Sequence, residues 1–372
     1  MIYRAPMKIQ NLLLHILFFI ALWCTSCSPS TEKKETYYTV KDFKDAKKID
    51  THVHIMTEND YFVKSAKVNN FQLLTIVVDS RNTWEWVEER YAFSKYQMDN
   101  HPGTVQFATS ISMEGWDDDQ WLDKSLSWMD KSFAEGAIGI KFWKNIGMVY
   151  RNQEGDLVML DDPGFDPIFN MLEEKDIPVI GHLGEPLNCW LPLDKMTTKN
   201  DSGYFSRHPE YHMYKHPDMP SHADQMTARD NRLIKNPNLR FIGAHVASLE
   251  YDVDELAMRL DKFPGMSVDL AARMGQIFYQ TANDHEKVRD FFIKYQDRII
   301  YATDLADNGS KTEEEVHETN TSVWKRDWRF FVTDESMTSD LIAQEFKGLK
   351  LPKEVVDKIF YHNAVKWFKI FE

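Results

Sequence analysis

The fold is decided by the stretch Ile49-Asp50-Thr51-His52-Val53-His54-Ile55. Its β-branched and apolar residues read as a strand. Side chains alternate along a strand, so His52 and His54 project to the same side and can hold one ion together. A His-x-His pair alone is a weak signal, and the rest of the chain gives it weight. Further apolar runs recur at residues 73–79, 105–111, 137–143, 177–182, 239–245, 266–270 and 298–303. The run 73–79 (Leu-Leu-Thr-Ile-Val-Val-Asp) is apolar almost throughout, as a strand covered on both faces must be.

Between these runs lie segments with apolar residues at i, i+3 and i+4, at 84–97, 118–134, 167–175, 224–234, 253–263 and 286–295. Val253, Leu256, Ala257 and Leu260 form the clearest stripe, with Asp252 placed to cap it. Eight strands alternating with helices predict an α/β chain closed into a (β/α)8 barrel, the TIM-barrel class, as a single domain. An open doubly wound sheet is the alternative. No Gly-x-Gly-x-x-Gly follows an early strand, so a dinucleotide fold has no support.

Barrel active sites are built at the C-terminal ends of the strands. His52 and His54 end the first predicted strand, Lys141 lies near the end of the fourth, His182 ends the fifth, His245 ends the sixth and Asp304 follows the eighth. Imidazoles with one carboxylate suit Zn²⁺ or a similar borderline metal, with a position left for water. One ion is expected, and two is the open alternative. Around it, Glu185 is placed to support His182 or to meet substrate, Arg273 to pair with an anionic group, and Trp143 and Trp190 to wall a pocket. The connection after His182 is long and carries His208, His212, His216 and His222. Long loops in compact domains are usually functional, and this one would lie over the barrel mouth. Spaced surface histidines are the plainer reading of those four.

These residues together resemble the amidohydrolase superfamily. Within it they resemble the amidohydrolase-related branch that includes aminocarboxymuconate-semialdehyde decarboxylase, related aromatic-acid decarboxylases and lactonases. The resemblance rests on Asp50-Thr51-His52-Val53-His54, Gly181-His182, Gly184-Glu185, Ala244-His245, Ala302-Thr303-Asp304 and Tyr361-His362-Asn363-Ala364. Ala302 stands where the family usually has Gly. The resemblance implies that His52, His54, His182 and Asp304 are metal ligands, and that His245 is an acid/base group or a ligand to a second ion. It implies that Asp304 takes a proton from the metal-activated water and returns it to the leaving group. Three readings of Lys141 stay open: a carbamate bridging two ions, a charge that contacts substrate, or a side chain that reaches solvent from the strand end.

The 372 residues are 43 % hydrophobic and 27 % charged, which suits a globular domain with a substantial core. A formal net charge of −14 argues against a nucleic-acid partner, which demands a basic face. Arg4 and Lys8 precede an apolar run at 12–23, broken by His15, that is short for a membrane span and has the layout of an export signal. Cys24-Thr25-Ser26-Cys27 is similar to a bacterial lipobox. The expected organisation is a signal peptide at 1–26, a lipidated Cys27, a polar tether over 27–44 and a barrel over 45–372. That makes a lipid-anchored protein of a bacterial cell envelope, periplasmic or on the surface. Ordinary cleavage to a soluble periplasmic protein is the alternative. With Cys27 lipidated, Cys189 has no intramolecular partner.

Three functions fit. One is a metal-dependent hydrolase of a small lactone, ester or amide. The second is a non-oxidative decarboxylase of a carboxylated aromatic or sugar acid. The third is a surface lipoprotein that binds a ligand without turnover, against which the complete ligand set speaks. The expected partners are a small-molecule substrate and, through the lipid anchor only, a membrane. Association into a homo-oligomer stays open.

Overall fold

The computed structural model describes Met1 and residues 36–371. The chain divides into two units, Met1–Glu35 and Thr36–Glu372, and only the second is discussed below. The expected signal peptide, Cys27 and the tether up to residue 35 lie outside the described residues.

Nine strands make one parallel sheet: β1 (Lys48–Ile55), β2 (Phe71–Ile76), β3 (Val105–Ser110), β4 (Ile140–Phe142), β5 (Val179–Gly181), β6 (Phe241–Gly243), β7 (Met266–Asp269), β8 (Ile299–Ile300) and β9 (Leu305–Asp307). Their spatial order is β8-β7-β6-β5-β4-β3-β2-β1-β9. All eight predicted strands form, most of them shorter than predicted. β9 was not foreseen. It pairs with the far end of β1, where Val53, His54 and Ile55 face Leu305, Ala306 and Asp307.

Closure runs through the segment between β8 and β9. The Tyr301 carbonyl accepts from the Thr51 N–H at 3.3 Å and from the Thr51 hydroxyl at 3.0 Å, and the Asp304 N–H donates to the His52 carbonyl at 2.8 Å. β1 therefore has a partner on each side, and the sheet closes into the predicted (β/α)8 barrel. Ile49, Leu74, Ala108, Ile180, Ile242 and Ile300 come from six different strands yet form one buried cluster. They meet only if the sheet wraps round them. Trp367 and Phe368, from the C-terminal helix Asn363–Phe368, join this cluster and stop one end of the barrel.

Among the helices of the described residues are α1 (Tyr61–Val68), α2 (Trp84–Asn100), α3 (Trp121–Ala134), α4 (Asp166–Glu174), α5 (His222–Lys235), α6 (Val253–Lys262), α7 (His285–Lys294) and α8 (Glu313–Val332), which alternate with the strands. α8 opens with a capping box in which Thr312 and Glu315 bond each other's backbone N–H. It buries Val316, Asn320, Trp324, Asp327, Trp328 and Phe331. Asn320 and Asp327 interrupt an otherwise regular apolar stripe, which hides the helix from a pattern search. No described helix is long and apolar enough to cross a membrane.

The domain begins earlier than residue 45. A short 3-10 helix, Val40–Lys44, buries Phe43, and the Tyr38 hydroxyl donates to Asp357 at 2.7 Å. The Lys353 N–H donates to the Thr36 carbonyl at 2.8 Å. Residues 36–44, expected as the end of the tether, are part of the domain, held by apolar burial and by these bonds.

Candidate metal centre

His52 and His54 leave β1 on the same side, and Asp304 meets them from beyond β8. The His54 Nε2 lies 3.1 Å from Asp304 Oδ1, and the His52 Nε2 lies 3.5 Å from it. One donor atom from each of the three falls within 4.8 Å of the others. The opposite ring nitrogens are committed. His52 Nδ1 lies 2.8 Å from Asp269 Oδ2 and His54 Nδ1 lies 2.9 Å from the Ile76 carbonyl. Carboxylates and carbonyls only accept, so both Nδ1 atoms carry a proton and the Nε2 atoms are left to face an ion. The His52 Nε2 presents a lone pair to the Lys141 Nζ, and the His54 Nε2 hydrogen-bonds Asp304 Oδ1. This is how a protein fixes imidazoles for a metal. The donor set fits a divalent ion of the Zn²⁺ type.

Asp269 was not picked out from the sequence. Its Oδ1 accepts the His245 N–H at 2.7 Å and the Ala271 N–H at 3.1 Å, while Oδ2 holds His52. It closes β7 as Asp304 follows β8, so the signal, a carboxylate at a strand's C-terminal end, was there to be used.

His182 and His245 form a second pair. The His245 Nδ1 donates to the Ala271 carbonyl at 2.9 Å, leaving its Nε2 as acceptor for the His182 Nδ1 at 3.1 Å. The His182 Nε2 is then a buried lone pair without a partner. His245, Val246, Ala247 and Ser248 all have φ between +56° and +59°, left-handed backbone that non-glycine residues avoid. The Asp269 bond to the His245 N–H, the Ser248 hydroxyl on the Leu183 carbonyl (2.8 Å) and His222 Nε2 on the Ser248 carbonyl (2.7 Å) hold that turn. A Cβ on Gly243 would lie 2.4 Å from the Ala247 Cβ, so glycine is needed where the turn folds back.

Burial pushes the His52 and His182 imidazoles below their ordinary value, and the nearby Lys141 charge adds to it. His245 is lowered by burial, then by His182 and Lys141. Neutral imidazoles are the form that binds metal. Enclosure alone would raise the Asp304 carboxyl. The His54 hydrogen bond and the charges of His52, His54 and Lys141 outweigh it and hold the group well below the usual carboxylate range.

Lys141 is 1 % exposed, with Nζ 2.8 Å from His52 Nε2. Burial lowers its ammonium to about 8. The reading in which this side chain reaches solvent fails, because it points into the barrel.

Beside these residues lies a cavity of about 260 Å³ lined by Lys144, His182, Glu185, Tyr204, Arg273 and Asp304 among others. Glu185 does not support His182. It ion-pairs with Lys144, a residue the sequence reading passed over. Arg273 is 6 % exposed, and its Nε is buried without a partner. Trp143 sits edge-on to His182, ring centroids 6.4 Å apart, and lines an adjoining cavity of about 310 Å³ with Met148, Tyr211, Met213 and Met219. Lys144 and Glu185 border both cavities.

Trp190 stays within the long loop, its indole N–H on the Pro220 carbonyl. The loop histidines do not converge. His208 pairs with Glu210, while His212, His216 and His222 each bond a carbonyl, those of Leu191, Pro209 and Ser248. Among the described residues, the one group able to hold an ion is His52, His54 and Asp304.

A family model described as Amidohydrolase matches residues 117–370. The chain belongs to the amidohydrolase family. The match takes in Lys141, His182, His245, Asp269 and Asp304, and begins after His52 and His54. No curated protein matches the sequence. Solved structures of similar fold include 2,6-dihydroxybenzoate decarboxylase from Rhizobium, with 12 % identity over 88 % of this chain and 100 % of that one, and a TM-score of 0.52. They also include 5-carboxyvanillate decarboxylase from Novosphingobium aromaticivorans, with 13 % identity over 88 % and 99 % and a TM-score of 0.47. A third is 4-oxalomesaconate hydratase from Rhodopseudomonas palustris, with 10 % identity over 87 % and 95 % and a TM-score of 0.47. At 12 % identity the likeness to the Rhizobium enzyme is one of fold, and the chemistry of this family member has to be argued from its own site.

Proposed function

We propose that the chain is a metal-dependent hydrolase of a small ester, lactone or amide. His52, His54 and Asp304 would hold the ion, Zn²⁺ first, with His182 offering its unpartnered Nε2 as a further ligand. The observation that carries the reading is the convergence of three donor atoms within 4.8 Å, with both imidazoles fixed from behind. When bound, a divalent ion supplies Lewis acidity, polarising the substrate oxygen and acidifying water. The protein's own groups do the rest. Asp304, kept as a carboxylate, takes the proton of the attacking water. As the carbonyl carbon gains the water oxygen and loses its bond to the leaving group, Asp304 returns that proton to the leaving oxygen or nitrogen. The buried Arg273 guanidinium meets an anionic group of the substrate, and the Trp143 cavity receives the remainder.

A non-oxidative decarboxylase is the second reading. The Arg273 guanidinium in the cavity lining and the Lys141 amino group beside His52 favour it, because they suit a carboxylated substrate. Metal analysis and a substrate panel test both. The purified full chain should carry a transition-metal ion and release acid from lactones or esters. Release of CO₂ from carboxylated aromatics, with no hydrolysis, would replace the first reading by the second. A protein that takes up no ion would sink both.

The leader supports a lipid-anchored protein of a bacterial envelope. Replacing Cys27 by Ser should move the protein from the detergent phase to the aqueous phase; an unchanged distribution would count against the anchor.

A further inference from the structure

Asp50 opens the metal-bearing stretch, and the hydrolytic reading does not use it. Its carboxylate is fully buried and reaches across the barrel seam. Oδ1 accepts the Thr303 N–H at 3.0 Å. Oδ2 accepts the Thr303 hydroxyl at 2.6 Å and the indole N–H of Trp324, on α8, at 2.9 Å. A longer contact of 3.5 Å joins Oδ1 to the His52 N–H.

Thr303 is the residue that delivers Asp304. Asp304 has φ +68°, in the left-handed region that a non-glycine residue occupies only when its surroundings insist. The surroundings here are specific. Thr303 is gripped through both its N–H and its hydroxyl by Asp50. The same hydroxyl oxygen accepts the Leu305 N–H at 3.2 Å, and the Asp304 N–H is tied to the His52 carbonyl at 2.8 Å. The turn is fixed on both sides of Asp304, and the fixing comes from the strand that carries His52 and His54.

We propose that Asp50 is the positioning residue of the metal centre: its grip on Thr303 holds the left-handed turn that aims Asp304 at His52 and His54. This rests on the reading of those three residues as ligands. The competing view is a strap that closes the barrel between β1 and β8 and has no bearing on the metal. The two views part on metal affinity. A positioning role ties affinity to the Thr303 grip, while a strap ties only thermal stability to it. Trp324 separates them, since its bond reaches Asp50 from the helix layer and leaves the Thr303 grip intact.

The test uses the full chain in detergent, with three readouts: Zn²⁺ affinity against a chromophoric chelator, the visible spectrum of the Co²⁺-loaded protein, and the melting temperature of the metal-free protein. Asp50→Asn should bind Zn²⁺ about 10- to 100-fold more weakly and shift the Co²⁺ spectrum in the same sense as Asp304→Asn. Trp324→Phe should lower the melting temperature with affinity unchanged. Thr303→Val should lose affinity and Thr303→Ser should keep it, and this pair decides the matter if Asp50→Asn does not fold. An Asp50→Asn protein that melts lower but binds Zn²⁺ like the parent would leave only the strap. If the parent chain binds no Zn²⁺ while remaining folded, the ligand reading itself falls, and this inference with it.

Discussion

The Nζ of Lys141 lies 2.8 Å from the Nε2 of His52. An amino group therefore faces the lone pair that a metal would use. A buried ammonium beside a divalent cation is repulsive, and little solvent is present to screen it. Removing that charge without changing the cavity shape much should strengthen binding of a single ion. Lys141→Met is expected to hold one ion per chain, the number expected of the parent, and to hold it more tightly in a chelator competition. A fall from two ions in the parent to one in the variant would mean instead that Lys141 carries a carbamate bridging two ions.

Asp269 acts on the centre from behind. It orients His52 through Nδ1 and secures the left-handed turn of His245 through the backbone N–H. Asp269→Asn keeps one acceptor and turns the other into a donor, so one of those two N–H groups faces an N–H. Loss of such an outer partner typically weakens metal binding about 10- to 100-fold. Calorimetric titration with Zn²⁺ checks the size. Parent-like affinity would show that His52 is held by packing alone.

What the sequence allowed and what it hid differ for physical reasons. His52 and His54 were readable because strand alternation alone puts them on one side. Strand β2 was readable from the nearly continuous apolar run at 73–79. Asp304 was readable because its carboxylate comes directly after a strand. Lys144 was missed because it acts through Glu185, a partner distant in sequence, and nothing local marks that. Asp269 did have a local mark, its place at the end of β7, while its partner His52 lies far along the chain. α8 was missed because two of its buried residues are polar: Asp327 bonds the Tyr301 hydroxyl at 3.0 Å, and that partner also lies far along the chain. The support of His182 expected from Glu185 failed for the same reason, since spacing from His182 says nothing about a cation arriving from beyond β4.

Arg273 should act on binding more than on turnover. Its buried guanidinium lines the cavity with Nε unpartnered, so an anionic substrate group gains a charge-assisted bond there and a neutral analogue gains none. Arg273→Gln is expected to raise KM for carboxylated substrates by about 10-fold or more, since such bonds contribute roughly 1.5–3 kcal/mol. KM for neutral esters should stay as in the parent. Equal losses on both substrate types would mean that Arg273 holds up the loop after β7 and does not read the substrate.

Glu250 gives the fold a pH dependence of its own. It is 1 % exposed, Oε1 accepts the Leu187 N–H at 2.9 Å, and Oε2 is buried without a partner. Burial raises its carboxyl from 4.5 to about 7, with the Arg273 charge opposing. A carboxyl raised in the folded state binds its proton more tightly there than in the unfolded chain. Its contribution is fully present below pH 4.5 and is lost as pH rises through about 7. Glu250→Gln removes that titration and keeps an acceptor for Leu187. The metal-free variant should therefore gain stability relative to the parent as pH climbs from about 4.5 to 7, by an amount on the order of 3 kcal/mol at most, and hold that gain above it. Melting curves of both proteins across this range check the sign. A stability difference that does not change with pH would show that the Glu250 carboxyl titrates alike in the folded and unfolded chains.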